Sequence, residues 1–281
     1  MNTDLQSYIG HSETRVDRVN ATAIALLAAT LDRANPSASD GERLPLLWHW
    51  VCFPPIHRAS EIGPDGHVRR GAFLPPVPLP RRMWAGGRIA FRAPLIVGET
   101  VSRESRIVDV RERQGRSGSL VFVVVRHRLS NSSGVAIVDE QDIVYRDAPT
   151  THGSIAPAAR APVEATWSRE IHPDPVLLFR YSALTFNGHR IHYDRRYATE
   201  VEGYPGLVVH GPLIATLLMD LLHHALPDVH VSEFSYRAMS PLFDTEPFFV
   251  RGEPLQDGRA VHLWAQTTHG ALAMDATATV S

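Results

Sequence analysis

Two histidine-containing segments in the second half of the chain carry side chains capable of acid–base chemistry. The first is residues 187–194, NGHRIHYD, and the second is residues 210–212, HGP, which open an apolar helix. His192 is the best general base, because imidazole titrates near neutral pH. Asn187 can orient a water molecule but cannot transfer a proton, and the backbone N–H of Gly211 lies where a helix N-terminus favours negative charge. A base, a water-holding group and a backbone donor can together add water to a double bond conjugated to a carbonyl.

Each of these residues also has a structural interpretation. With 15 histidines some clustering arises by chance, and we interpret His189 and His210 as structural more readily than as catalytic. Asn187 would then form a turn and Gly211 would be a helix N-cap residue. A metal site built from His189, His192 and His210 is disfavoured, because no carboxylate–histidine motif accompanies them. We therefore predict no metal site, and catalytic roles for His192, Asn187 and Gly211.

Composition argues against several classes of function. The 281 residues carry a net charge of −2, so no overall field attracts nucleic acid or an anionic membrane. No apolar run is long enough to cross a bilayer, and the N-terminus lacks the basic and apolar regions of a secretory signal. Cys52 is the only cysteine, which excludes an internal disulfide. We expect a soluble, cytoplasmic protein that binds neither nucleic acid nor membranes.

The elements that must position these residues follow from periodicity and turn signals. Apolar spacing predicts a helix at 16–33 and a second one from Pro212 that is apolar almost all round, and therefore buried. Residues 54–87 are rich in proline and glycine, which predicts loops. A loop this long in a compact domain usually has a functional or interface role. Strand-like runs fill residues 88–146 and 231–280.

The two strand blocks look like one unit used twice. Residues 91–95, FRAPL, are echoed by 236–242, YRAMSPL, at the start of each block. We predict an α+β protein made of two helix-plus-antiparallel-sheet domains, at 1–147 and 167–281, joined by a linker rich in Pro, Ala and Thr at 148–166. Where the second copy has its buried helix, the first has the proline-rich 74–87. We predict that the first copy is degenerate and has lost its central helix and its chemistry.

Residues 179–194, FRYSALTFNGHRIHYD, followed by 204–218, YPGLVVHGPLIATLL, closely resemble the MaoC-like, R-specific enoyl-thioester hydratase and dehydratase family. That resemblance implies a double hotdog, in which each curved antiparallel sheet wraps around a central helix. The family motif, Gly-Asp-x-Asn-Pro-aliphatic-His, places the catalytic histidine at His192 and its aspartate at Asn187. His189 and Arg190 stand where the motif has Asn and Pro, and the family's oxyanion N–H falls on Gly211.

The motif version NGHRIH at 187–192, together with residues 79–87, LPRRMWAGG, resembles one branch of the family, which holds itaconyl-CoA and mesaconyl-CoA hydratases and the mitochondrial type 2 3-hydroxyacyl-thioester dehydratases. The resemblance implies a lyase that reversibly adds water to a 2-enoyl-CoA. It implies no cofactor, since CoA is part of the substrate. Asparagine in place of aspartate removes one proton-transfer group, so His192 must act alone or with His189.

Arginines give the only indication of the acyl group. Arg190 lies beside the base, and we predict that it binds substrate together with His189, Arg81 and Arg82. A substrate with a free carboxylate would use such residues, which favours a branched C5 dicarboxylyl-CoA such as itaconyl-CoA or mesaconyl-CoA. The arginines can equally bind CoA phosphates or be solvated. Two other functions stay open: a 3-hydroxyacyl-thioester dehydratase of fatty acid metabolism acting on acyl carrier protein, and a non-catalytic acyl-CoA-binding hotdog protein. The sequence permits a homodimer.

Overall fold

Two similar sets of elements follow each other along the chain. We describe a computed structural model at residues 4–33, 38–115, 118–147, 158–256 and 258–281. The N-terminal half contains β1 (Ser12–Arg18), α1 (Ala21–Thr30), β2 (Arg81–Phe91), β3 (Thr100–Gly115), β4 (Gly118–Asn131) and β5 (Gly134–Arg146). The C-terminal half contains β6 (Trp167–Ile171), α2 (Pro175–Leu184), α3 (Gly211–Ala225), β7 (Val231–Ala238), β8 (Phe248–Pro254), β9 (Ala260–Thr267) and β10 (Leu272–Val280).

All ten strands form one antiparallel sheet in the order β1-β3-β4-β5-β2-β7-β10-β9-β8-β6. The order within the C-terminal half, β6-β8-β9-β10-β7, repeats that of the N-terminal half, β1-β3-β4-β5-β2, strand for strand. The halves join where β2 pairs with β7, with Ile89 opposite Phe234. The predicted α+β double hotdog is therefore confirmed, and its two repeats share one continuous sheet.

Helix α3 is the centre of the core. All ten residues from position 213 to position 222 are buried, and the helix contacts β6, β8, β9 and β10. Burial of each leucine contributes about 1.5–3 kcal/mol, so this helix is held by packing on every side. One charged residue in it, Asp220, is compensated by an ion pair to Arg169 at 2.9 Å and by another to Arg33 of the N-terminal half.

The first repeat has no counterpart of α3 among its described residues. Between α1 and β2 the described chain contains only two short 3₁₀ turns, Trp48–Val51 and Ala59–Glu61. The first of these turns is buried and belongs to the same hydrophobic cluster as α3. The predicted loss of the central helix from the first copy agrees with this described segment, whereas the predicted loss of its chemistry stays a prediction.

Several predicted boundaries were wrong. The helix predicted at 16–33 begins only at Ala21, because Asn20 caps it by accepting hydrogen bonds from the backbone N–H groups of Thr22 and Ala23. Strand β2 begins at Arg81, inside the region predicted to be loop, because it is paired on both sides by β5 and β7. Strands β1 and β6 and helix α2 were not predicted.

The predicted domain boundaries, at 1–147 and 167–281, stay predictions. Residues 148–157 of the predicted linker lie outside the described residues. At the described end of that segment, Arg160 forms a bridge with Ala271, so this end of the linker lies against the turn between β9 and β10. Among the described helices none combines the length and apolarity that a membrane span requires.

Candidate active site

His192 lies in a 3₁₀ turn, Arg190–His192, and is buried against the segment that leads into α3. Its Nδ1 is 2.7 Å from the carbonyl oxygen of Val208. A carbonyl only accepts hydrogen bonds, so Nδ1 carries the proton and Nε2 is unprotonated in the neutral ring. Burial lowers the pKa of His192 to about 4. The ring is therefore neutral at pH 7, with Nε2 available as a base.

His210 fixes the orientation of the His192 ring. The two imidazoles stack with their centroids 3.7 Å apart and their planes 17° apart. The Nε2 atom of His210 is 2.8 Å from the hydroxyl oxygen of Ser182, on α2, and burial holds the pKa of His210 well below its usual value. These contacts give His210 a packing role, as expected from the sequence.

Gly211 is the first residue of α3, and His210, not Gly211, is the N-cap residue. The N–H of a first helical residue has no acceptor inside its own helix, so it points out of the helix end. A Cβ atom at Gly211 would lie 2.7 Å from Cε3 of Trp84, on β2. Trp84 is itself stacked on Tyr236, with ring centroids 4.6 Å apart. A side chain at position 211 would therefore collide with a fixed indole ring.

Asn187 forms a turn at the end of α2. Its Oδ1 accepts a hydrogen bond of 3.0 Å from the backbone N–H of His189, and its own N–H donates to the carbonyl of Ser182 at 2.8 Å. These contacts are those expected of a turn-forming asparagine. They leave the side-chain amide Nδ2 as the group that can donate a hydrogen bond to a water or a substrate oxygen. An aspartate would make the same turn, so asparagine here removes a titratable group without disturbing the backbone.

The His189 ring contacts the ring of His192 and that of a histidine of the N-terminal half, His67. Ring centroids are 5.4 Å apart for His189 and His192, and 4.0 Å apart for His189 and His67. We call His67, His189, His192 and His210 the imidazole row. Burial, followed by repulsion from His67 and His192, lowers the pKa of His189 to about 2. All four rings of the row are neutral at pH 7.

His67 and its partner Asp65 are the site residues that the sequence analysis missed. Nδ1 of His67 is 3.0 Å from the Asp65 carboxylate, in a tight hairpin closed by a bridge between Ile62 and Val68. The signal was the sequence GPDGH at 63–67, where turn residues enclose a carboxylate and an imidazole inside a loop already expected to have a role.

The three arginines predicted to bind substrate have different surroundings. Arg81 pairs through Nε with Glu202 at 3.1 Å. Arg190 pairs with Asp194 at 2.7 Å and lies over the Tyr197 ring. Of the three, only these two are engaged by carboxylates.

Arg82 is the arginine whose charge acts on the imidazole row. It is half-buried, and no carboxylate of a described residue lies within 4.0 Å of its guanidinium. Its charge acts beside the Tyr145 hydroxyl and helps to lower the pKa values of both His67 and His189. Arg82 shares a strand face with Trp84, two residues later, which contacts Gly211.

Asp65, His67 and His189 also form the one group of described residues that could hold a metal ion. One ligand atom from each lies within 4.8 Å of the others. Two imidazoles and a carboxylate suit zinc or iron. The positive charge of half-buried Arg82, close to both histidines, opposes a cation here.

The chain resembles known proteins in sequence and in fold. A family model described as hydroxyacyl-thioester dehydratase type 2 matches residues 47–244. The chain is 44% identical over 274 residues to mesaconyl-C(4)-CoA hydratase of Chloroflexus aurantiacus, covering 98% of this chain and 97% of that protein. It is 26% identical to the mitochondrial hydroxyacyl-thioester dehydratase type 2 of Schizosaccharomyces pombe, over 85% of this chain and 86% of that protein. A MaoC-like dehydratase structure from Phytophthora capsici covers 100% of this chain and 98% of its own, with a TM-score of 0.73 at 15% identity, which shows the shared fold.

Proposed function

Since the chain belongs to the hydroxyacyl-thioester dehydratase type 2 family of hydro-lyases, we propose that it hydrates a 2-enoyl-CoA whose β carbon carries a free carboxylate, as in a mesaconyl group. The observation that carries this proposal is the state of Arg82, a half-buried cation whose charge acts on His67 and His189 and which forms no ion pair within 4.0 Å with a described carboxylate. The 44% identity to a mesaconyl-C(4)-CoA hydratase over nearly the whole chain supports the same substrate class.

In the hydration reaction, His192 transfers the proton and Gly211 stabilises the thioester oxygen. Nε2 of His192 accepts a proton from water while the water oxygen bonds to the β carbon. The electron pair of the double bond moves to the α carbon and the thioester oxygen, and the N–H of Gly211 donates to that oxygen. The His192 imidazolium, held by the Val208 carbonyl, then gives its proton to the α carbon. One water is consumed and the site returns to its starting state. This scheme needs no cofactor beyond the CoA of the substrate.

The substrate's second carboxylate must lie close to the base. In a mesaconyl group joined to CoA through carbon 4, the double bond connects the α carbon to a β carbon that carries a methyl group and the free carboxylate. Water adds to that β carbon, so the carboxylate lies next to the water that His192 activates. We assign carboxylate binding to Arg82 in place of Arg190, because the Arg190 guanidinium is already paired with Asp194.

A second candidate is a 3-hydroxyacyl-thioester dehydratase of fatty acid metabolism. It is supported by the mitochondrial relative from Schizosaccharomyces pombe, at 26% identity. Such an enzyme would take a straight acyl chain on CoA or on acyl carrier protein. Arg82 would then bind a group other than an acyl carboxylate.

A substrate panel tests these alternatives. Initial rates should be compared for mesaconyl-C4-CoA, itaconyl-CoA, crotonyl-CoA and crotonyl-acyl carrier protein, with and without EDTA. We expect kcat/KM for mesaconyl-C4-CoA to exceed that for crotonyl-CoA by at least about tenfold, with no effect of EDTA. A preference for the crotonyl thioesters would reject the dicarboxylate and favour the fatty acyl function. The cytoplasmic location and the homodimer stay predictions.

A further inference from the structure

A hairpin in the N-terminal half holds a carboxylate and an imidazole in a fixed relation. The Asp65 carboxylate accepts two hydrogen bonds from His67, one from its backbone N–H at 3.1 Å and one from Nδ1 at 3.0 Å. The backbone N–H of Gly63 closes the turn by donating to the carbonyl of His67 at 2.7 Å. The His67 side chain is 17% exposed and that of Asp65 is 30% exposed, so both lie in a partly open cleft.

This hairpin is docked on the loop that carries the candidate base. The backbone N–H of Arg190 donates to the carbonyl of Asp65 at 2.9 Å, and its guanidinium donates to the carbonyl of Pro64 at 3.1 Å. A Cβ atom on Gly66, whose φ is +89°, would collide with the backbone of Gly188. Two glycines thus allow a backbone approach that places Asp65 and His67 beside His189.

The hydrogen bonds define which nitrogen of His67 is free. Burial pushes the pKa of Asp65 upward, but the hydrogen bonds from His67 outweigh it and hold that pKa well below its usual range. An ionised carboxylate only accepts, so Nδ1 of His67 carries the proton. Burial and the charge of Arg82 lower the pKa of His67 to about 4. His67 is therefore neutral at pH 7, and its Nε2 is an unoccupied acceptor, as is Nε2 of His192.

Of His67 and His189, the former is the better suited to share a proton with a water, because a carboxylate is hydrogen-bonded to its ring. The His189 ring contacts the rings of His67 and His192, and no carboxylate of the described residues is hydrogen-bonded to it. A positive charge on His67 would be stabilised by a carboxylate directly hydrogen-bonded to its ring. This is the arrangement in which a carboxylate orients an imidazole and stabilises its protonated form.

We propose that His67, oriented by Asp65, is a second catalytic imidazole of this site. Its Nε2 accepts one hydrogen bond from the water whose other proton passes to Nε2 of His192. Asp65 is a positioning residue, which fixes the tautomer of His67 and stabilises partial positive charge on it. The pair thereby supplies what a carboxylate at position 187 would supply, and it comes from the other half of the chain. This inference rests on the proposed hydration reaction.

Three variants test the pair kinetically. Asp65→Asn keeps an acceptor for the backbone N–H of His67 but removes the charge, and His67→Gln removes the imidazole. We expect both to lower kcat on mesaconyl-C4-CoA by about 10- to 100-fold with KM changed less than about threefold. Adding Asn187→Asp to either variant should restore kcat by at least about tenfold. Arg69→Gln, in the same hairpin with an exposed side chain, is the matched control and should keep the wild-type rate.

A measurement without substrate separates this inference from the proposed function. Nitrogen-15 NMR of the folded protein at pH 7 should show His67 as the Nδ1-protonated tautomer, with that preference lost in Asp65→Asn. An Nε2-protonated His67 overturns the proposal whatever the substrate, because no acceptor would face the water. Variants that fold and keep kcat within about twofold of wild type overturn it as well. Loss of wild-type activity on chelation, with recovery on adding zinc, would show a metal site in its place. Absence of hydratase activity in the wild type with the expected tautomer would reject the proposed function.

Discussion

Replacing Arg82 by methionine tests how the site selects its substrate. Methionine keeps most of the length of the side chain and removes its charge. The charge of the guanidinium acts on His67 and His189 and its side chain is half-buried, so a carboxylate on the β carbon that pairs with it would be only partly hydrated. A hydrogen bond to a charged group contributes about 1.5–3 kcal/mol. Since about 1.4 kcal/mol is a factor of ten, kcat/KM for mesaconyl-C4-CoA should fall by about 10- to 100-fold.

Two controls make this prediction specific to the substrate's second carboxylate. One is the substrate crotonyl-CoA, and the other is the variant Arg190→Met. Crotonyl-CoA has the same CoA and no second carboxylate, so its kcat/KM should change less than about threefold in Arg82→Met. Arg190→Met loses a pair that is part-exposed and satisfied inside the protein, so the preference between the two substrates should change by less than about twofold. An equal loss on both substrates in Arg82→Met would mean that Arg82 binds CoA or supports the fold. A collapsed preference in Arg190→Met would return the carboxylate to Arg190.

Four further predictions concern the base, the helix end and the core. His192→Ala should lower kcat at least about 100-fold with an unchanged circular dichroism spectrum; turnover above about a tenth of wild type would remove His192 as the base. Because the neutral ring is active and its pKa is lowered to about 4, kcat/KM should stay flat as pH falls through 6.5 and decline only towards pH 4; a half-point near 6.5 would mean an exposed imidazole. Gly211→Ala should lower both kcat and the melting temperature, because the methyl group meets Trp84, and adding Trp84→Ala should recover part of the stability. Asp220→Asn should lower the free energy of unfolding in urea by about 3–5 kcal/mol, since Arg33 and Arg169 lose a buried partner, whereas Asp228→Asn, elsewhere on the chain, should leave it unchanged.

The parts of the fold that the sequence predicted are those where one local pattern decides the structure. Helix α3 is apolar on every side, and β3 to β5 and β7 to β10 are rich in β-branched or aromatic residues, so tertiary context reinforces local preference. Strand β1, SETRVDR, lies at an edge of the sheet and exposes alternate residues, so its pattern is mostly polar and resembles a loop. Strand β2 starts directly after a run of prolines, where its pairing partners, which lie far away in sequence, decide the structure.

The candidate site likewise has one part that local sequence patterns predicted and one part that they did not. The motif at 187–192 and the helix start at Gly211 are local patterns, and the structure brings them together through the bond from His192 to Val208. Asp65 and His67 reach His189 across more than a hundred residues, by a backbone contact that depends on Gly66 and Gly188. No local sequence pattern encodes such a contact. The sequence therefore predicted a functional or interface role for this loop but could not identify the residues that it contacts.

The loss of a helix from the first repeat and its contributions to the site have one structural cause. In the second repeat the sheet covers α3, whereas in the first the space next to β2 holds no helix among the described residues. Trp84 of β2 can therefore pack on the start of α3, and the segment that replaces the missing helix can reach the imidazole row with Asp65 and His67. The N-terminal half thus contributes Trp84, Asp65 and His67 to the surroundings of the candidate base, and the pairing of β2 with β7 joins the strand that carries Trp84 to the half that carries His192.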